Sequence, residues 1–452
     1  MKKRIATFLK WAGLITVVLG SLYAVLLGVS SYSLRRAYLA LEADGRPMKI
    51  EDIMPPEIPD HENAALLYQS AVLQLKAKKA GDRSLFSELD DLAKRILMGT
   101  PPDAKTLKQF RVLTQKKVVT DALLTLRKGT TKPGCRYDLD YPSGMALSLS
   151  HTANLRSLTR ILCAVARQQA TDGDHTAAWD TVITSLRLSH ALKNEPFLVS
   201  LLVRKAQFDL TADTIQALSI NASPTDHQNS EINVLLKSFD GNAPLVATMD
   251  SERLLTCEWI FNLSRSELQK FSVVSNTRFP FLHFKTVLRP LAQFDHAACL
   301  NLMHACTQNA KEPYSAENVA ALKWKVDNVP KYCLTTRIFV RGFPTIKGIY
   351  ASMIARSRIT SVGLAVLRYR QKHGKYPANL DAIDKPDAIV DPFGGKQLRY
   401  LATPTGFKVY SVGRNLVDDG GEQRKDESDG DIVWWHKEKT EKTEKKVDKA
   451  KQ

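Results

Sequence analysis

Between Asp418 and Asp431 the chain sets seven carboxylates, Asp418, Asp419, Glu422, Asp426, Glu427, Asp429 and Asp431, against only Arg424 and Lys425. Like charges at this density repel one another, so a cation that gathered them would relieve the loop. Calcium suits the ligand type, because it takes ~6 to 8 oxygens from carboxylates and backbone carbonyls in flexible geometry. The competing reading is a solvated acidic loop without metal. A second cluster, His296-Ala-Ala-Cys299-Leu-Asn-Leu-Met303-His304-Ala-Cys306, carries softer chemistry. On a helix, His296, Cys299, Met303 and Cys306 share one face, and such ligands suit copper(I) or zinc. Against that stands the ordinary use of Cys and Met as fillers of buried helix faces.

Nucleophilic and phosphate chemistry leave a fainter trace. No convincing G-x-S-x-G, S-x-x-K, H-E-x-x-H or P-loop pattern occurs. Residues such as His151 and Asp250 combine into triads on paper, but spacing alone singles out none. No catalytic residue and no organic cofactor is therefore assigned. The six cysteines, Cys135, Cys163, Cys257, Cys299, Cys306 and Cys333, contain no CxxC pair, which argues against a structural zinc ribbon. They are too sparse for a disulfide scaffold, although an oxidising compartment would permit one or two bridges of undetermined pairing.

The elements that position these groups are mostly helical. A mainly α chain is expected: a transmembrane helix, an irregular helical bundle or solenoid, then a small α+β domain with a short antiparallel sheet. Three prolines in Met54-Pro-Pro-Glu-Ile-Pro59 make a linker, after which Asp60 caps a helix carrying Leu66, Val72 and Leu75. Further helices are predicted over 84–98 and 103–128. At 152–193 two apolar-periodic helices flank Asp172-Gly173-Asp174, which reads as a tetratricopeptide-like hairpin, and Pro196 starts a third helix. No second copy recurs at a ~34-residue period, so a repeat array is not supported.

The chain has 452 residues, 64 Lys and Arg, 47 Asp and Glu, and a net charge of +17. That length calls for two or more folded units. The positive charge is spread along the chain rather than gathered into an arginine-rich, aromatic-interleaved block, which argues against nucleic acid as partner. No small-molecule substrate is indicated. From Trp11 to Leu34 no charged residue occurs, long enough to cross a hydrocarbon layer. Lys2, Lys3, Arg4 and Lys10 precede it and Arg35 and Arg36 follow, so the N-terminus is expected in the cytoplasm. A cleaved signal peptide is the alternative, but the run is longer than a typical ~7 to 15 residue signal core and no clear A-x-A site follows.

The C-terminal part carries the most specific pattern. Ala355, Ile359, Val362, Val366 and Tyr369 form a helical stripe ending at His373-Gly374. Tyr376-Pro377 and Asp391-Pro-Phe-Gly394 follow. Two alternating runs, Leu398–Tyr400 and Phe407–Tyr410, read as a hairpin through Pro404-Thr-Gly406, and Asp431–Trp435 adds a third strand. This series resembles the globular domain of the type II secretion major pseudopilin over 349–435: H-G-K-Y-P, D-P-F-G, V-Y-S-V-G, an acidic loop and D-I-V-W. The chain as a whole resembles large envelope proteins of planctomycete and verrucomicrobial bacteria.

The resemblance implies that the acidic loop binds calcium through Asp418, Asp419, Asp429 and Asp431, with carbonyls near Leu416. The Gly420-Gly421-Glu-Gln-Arg-Lys stretch departs from the family's loop. So does the N-terminus, which lacks a prepilin-peptidase site. Arg337, Arg341 and Lys347 bar the segment before Ile349 from acting as a membrane helix, so family-style packing into a pseudopilus is not implied. The expected layout is a basic N-terminus at 1–10, the span at 11–34, and a juxtamembrane helix and linker at 35–59. A helical domain at 60–345, a pseudopilin-like domain at 346–435 and a disordered Lys/Glu-rich tail at 436–452 complete it. The functional expectation is a non-enzymatic protein of the bacterial inner membrane, its main domain periplasmic, with envelope or secretion proteins as partners. A membrane-bound enzyme with its site in a helical cleft is the alternative.

Overall fold

The computed structural model describes residues 2–77, 84–98, 103–275, 288–383, 389–403, 406–422 and 430–437. Helix α1 (Lys2–Ala43) runs unbroken through the apolar run and the predicted juxtamembrane helix. It is long and apolar enough to cross a membrane, and its most apolar window is uncovered. Trp11, Val17, Val25 and Val29 are all exposed. From Ser30 onward the helix meets protein. Ser30 Oγ donates to Gln293 Oε1 at 2.8 Å, and Ala37 and Leu41 are buried with Ala297 and Leu300. The last turn of the expected span, 30–34, therefore lies against the body. The uncovered stretch from Trp11 to Val29 measures ~28 Å, close to a hydrocarbon layer's ~30 Å.

Helices α2 (Ala64–Lys76), α3 (Leu85–Met98), α4 (Ala104–Thr114) and α5 (Lys117–Gly129) pack with α6 (Ser150–Thr171) around Tyr68, Leu89, Phe110, Leu126 and Ile161. The single helix expected over 103–128 is two. α4 buries Leu107, Phe110 and Leu113, whereas α5 buries Val119, Ala122 and Leu126. A continuous helix would next bury position 117, so the apolar stripe slips in phase and the break at Gln115–Lys116 absorbs the slip.

The predicted hairpin stands as α6 and α7 (His175–Ser189), with the Asp174 carboxylate capping α7 by accepting from Ala177 N at 3.0 Å. Next come α8 (Leu198–Ser219), α9 (Asp226–Lys237) and α10 (Ala243–Glu252). A π-helical turn at Arg253–Glu258 leads into α11 (Trp259–Asn262) and α12 (Arg265–Ser275). The helical part closes with α13 (Arg289–Lys311), α14 (Ala316–Asp327), α15 (Leu334–Phe339) and α16 (Phe343–His373).

The boundary drawn at 345 falls inside α16. Its flanks share one apolar core, which runs from Ala166 through Phe208 and Ile232 to Tyr350, Val362, Phe407 and Trp434. Lys347 is buried at the end of α13, where Nζ donates to the Asn309 and Pro313 carbonyls. The apolar interior instead divides along α6 and α7: Leu162 and Ala164 belong with α2–α5, as do Leu188, Ala191 and Leu192, whereas Ala166, Val182 and Leu186 belong to the core that reaches the sheet.

Strands β1 (Arg399–Thr403), β2 (Gly406–Ser411) and β3 (Ile432–Lys437) form an antiparallel meander in that order. Val409 pairs with Trp434 and Phe407 with His436, and all four are buried. The sheet closes on α16 at Gly363, where a Cβ would sit 2.8 Å from the Trp434 indole. Only a glycine admits that approach. β3 includes His436 and Lys437, so the tail begins later than expected, and the rest of 436–452 lies outside the described residues.

Candidate functional site

Three of the four proposed calcium ligands, Asp418, Asp419 and Asp431, are described, on the segment that joins β2 to β3. Asp418 Oδ2 accepts from Arg399 Nε at 3.0 Å, and Oδ1 accepts from Tyr410 Oη and Gly420 N, each at 3.1 Å. The Arg399 bond, with help from Gly420 N, holds the Asp418 carboxyl below its usual value. Asp419 Oδ2 accepts from Asn415 Nδ2 at 3.3 Å. Asp431 is buried, with Oδ2 accepting from Gly421 N at 2.7 Å and Oδ1 left without a partner among the described residues. Burial pushes Asp431 upward, and the negative charges of Asp418 and Asp419 add to the push. Leu416 adopts φ +59°, a conformation uncommon outside glycine, at the turn expected to lend a carbonyl. Asp429 lies outside the described residues. Among the described residues no three His, Cys, Asp or Glu side chains gather as a metal-ligand group.

The D-P-F-G turn has a structural task. Buried Asp391 accepts from Phe393 N and Ser411 Oγ through Oδ1, at 2.9 and 2.7 Å, and from Val412 N through Oδ2 at 3.1 Å. One carboxylate thus ties the turn to the end of β2.

The soft cluster is corrected. Cys299 is bonded to Cys257, which ties α13 to the π-helical turn. Met303 and Cys306 are buried in the main core. His296 is stacked on Phe261 at 4.5 Å and lies edge-on to Tyr38 at 5.8 Å. Burial lowers its pKa to about 4, leaving a neutral ring packed between aromatics. The face predicted from spacing exists, but its sulfurs serve packing and cross-linking. Around it lies a polar network no motif announced. Buried Arg253 donates to Glu258 and to the Pro47 carbonyl, and Glu258 accepts from Tyr38 Oη at 3.3 Å. Asp44, just past α1, accepts from Gln308 Nε2 at 2.6 Å and from Lys311 Nζ at 3.0 Å, with His304 Nε2 3.3 Å away. These contacts fasten the end of α1 to α13.

A concavity of about 790 Å³ lies between α9, α16 and the turn at Leu380–Ala382. Lys237, Arg358, Arg368 and Lys372 line it, with Asp240 the one acid among the described residues. Arg358 Nε donates to Asp240 at 3.0 Å, and Arg368 meets Asp226 at 2.7 Å. Val234, two-thirds exposed, and Tyr369 add apolar surface. The groove is cationic and large enough for a ligand or a peptide segment.

His151, unassignable from sequence, pairs with Glu195 across 44 residues, its Nε2 lying 2.8 and 3.0 Å from the two carboxylate oxygens. Ser200 Oγ donates to the same carboxylate at 2.7 Å. Asp250, the other residue considered for a triad, sits apart from it, bonded to Arg46 Nη1 at 3.2 Å. Comparison of the chain with protein-family models, with curated proteins and with solved structures returns no match.

Proposed function

We propose that this is a non-enzymatic protein held in a bacterial inner membrane by α1, its N-terminus cytoplasmic and its helical body periplasmic. The body binds envelope or secretion proteins. The observation that carries the reading is the fastening of α1 to α13, through Ser30–Gln293, the buried Ala37 and Leu41, and the Asp44 cluster. An anchor built into the body holds that body at a set distance and orientation from the bilayer, as a membrane-tethered docking platform requires. The cationic groove between α9 and α16 supplies a docking surface. The sheet on α16 is the pseudopilin-like part, with calcium at Asp418, Asp419, Asp429 and Asp431 to stiffen its loop. The order of helix, turn and antiparallel strands supports that assignment.

Photo-crosslinking in intact cells, with the reactive group at Ser230 or Lys372 in the groove, should capture discrete envelope proteins. The same group at Lys128 in α5, outside the groove, should not. Protease added to spheroplasts should remove the body and leave a membrane-held N-terminal fragment. Protection of the body from that protease would sink the topology, and identical capture at both positions would sink the groove. An enzyme with its site in a helical cleft is the second reading, favoured only by the His151–Glu195 pair.

A further inference from the structure

The His151–Glu195 pair borders a second cavity, about 250 Å³, between α2, the start of α6 and the segment that follows α5. Three polar residues in its wall are buried: Tyr68, Tyr137 and His151. Glu195 occupies Nε2 of His151 and therefore fixes that nitrogen as the protonated one, leaving Nδ1 as the free ring position. Among the described residues, Nδ1 of His151 and the hydroxyls of Tyr68 and Tyr137 have no hydrogen-bond partner. They are nonetheless not sealed in protein, since none is among the fully buried polar atoms without a partner. Three hydrogen-bonding groups with unspent capacity thus line one hollow. Such groups are free to receive the polar atoms of a ligand that enters the hollow.

The wall is held in place. Asn63 bonds both the carbonyl and the N–H of Arg136, at 2.8 and 3.0 Å, which ties the residue before Tyr137 to the start of α2. The Tyr137 ring stacks on His151 with centroids 4.1 Å apart. Tyr68 lies over Gly129, where a Cβ would come within 2.6 Å of its ring.

The lining is mixed: Val72, Leu73 and Leu155 supply apolar surface, and Lys76 and Asn154, joined at 2.9 Å, add polar groups to those of the tyrosines and His151. Burial raises both phenols, which remain protonated donors at neutral pH. The volume lies below the ~300 to 1,000 Å³ of drug-sized pockets. We propose that the cavity binds a small amphipathic monocarboxylate, its oxygens held by Tyr68, Tyr137 and Lys76 and its apolar part by Val72, Leu73 and Leu155. The charge of Lys76 selects an anion, and the apolar wall excludes inorganic ones.

The test uses the full chain in detergent, with benzoate and butyrate as probes and benzamide and butyramide as neutral isosteres. The carboxylates should raise the melting temperature saturably and show saturation-transfer contact by NMR, and the amides should do neither. Tyr68→Phe, Tyr137→Phe and Lys76→Met should each weaken binding by about tenfold, ~1.4 kcal/mol. The two Phe variants should melt as the parent does without ligand, because the hydroxyls they lose have no protein partner. The proposal is overturned if no carboxylate binds saturably at millimolar concentration, if the amides bind equally, or if the Phe and Met variants bind as the parent does. None of these outcomes touches the docking groove, which is tested separately.

Discussion

Asp431 faces two demands at once. It is buried with one oxygen unpaired, yet it stands beside Asp418 and Asp419, so the carboxyl is pushed upward by burial and by like charge. A calcium ion would remove both penalties. Calcium at ~100 Kd should therefore add ~2.7 kcal/mol to the stability of the full chain. Magnesium should add less, because it demands near-ideal octahedral geometry. In Asp418→Asn/Asp419→Asn the calcium-dependent shift in melting temperature should largely vanish. Because a raised pKa means that Asp431 takes up its proton above the ordinary carboxylate range, the shift should also fade as pH drops toward that range from above. Equal melting in calcium and in chelator at neutral pH would rule the site out. Asp391 gives a contrasting expectation, for its two oxygens already accept three hydrogen bonds. In Asp391→Asn one oxygen becomes an NH2 facing an N–H, which should cost ~1 to 3 kcal/mol by denaturant midpoint, with calcium present or absent.

Among the elements, α1 and α13 form the joint that fastens the long apolar helix to the body. Burial alone would raise Asp44, but hydrogen bonds from Lys311 and His304 outweigh it, and the folded-state pKa is lowered. A carboxyl lowered on folding contributes fully above its unfolded pKa, ~3.9, and loses that contribution as pH falls through the lower folded value. Docking of α1 should therefore hold at neutral pH and loosen only below about pH 4, read by hydrogen exchange at residues 37–43. Asp44→Asn should loosen it already at neutral pH. The Cys257–Cys299 bond clamps the other side of α13 to the π-helical turn, across a separation of 42 residues. On the chain-entropy model its reduction should cost about 4 kcal/mol. Cys257→Ala/Cys299→Ala should melt equally with and without reductant, whereas the parent should melt lower when reduced. A parent indifferent to reductant would mean that the bridge contributes nothing.

For the whole molecule, the question is where the chain can be cut. The composition change near 345 suggests a self-sufficient helical domain, yet α8 and α9 pack on α16, which lies beyond that cut. A fragment of residues 60–340 should therefore keep helical circular dichroism but melt without cooperativity and bind hydrophobic dye. A fragment of 60–437, which restores α16 and the sheet, should melt cooperatively. Sharp melting of the shorter fragment would show that α8 and α9 repack without α16.

Periodicity and punctuation decide local matters, and the sequence determines those. The apolar run of α1, the α6–α7 hairpin about Asp172–Asp174, the stripe and end of α16, and three strands in the right order were legible because each rests on residues within a few positions of one another. The split between α4 and α5 was also written there, as a slip in the buried stripe. Pairings across long separations belong to the tertiary structure. His151 meets Glu195, Cys257 meets Cys299, Ser30 meets Gln293, and α16 fills the core of helices that precede it by a hundred residues or more. No spacing rule reaches that far. A cysteine at helical spacing from a histidine reads as a metal ligand until folding sets another cysteine beside it. A buried carboxylate finds its histidine only when two helices have already packed.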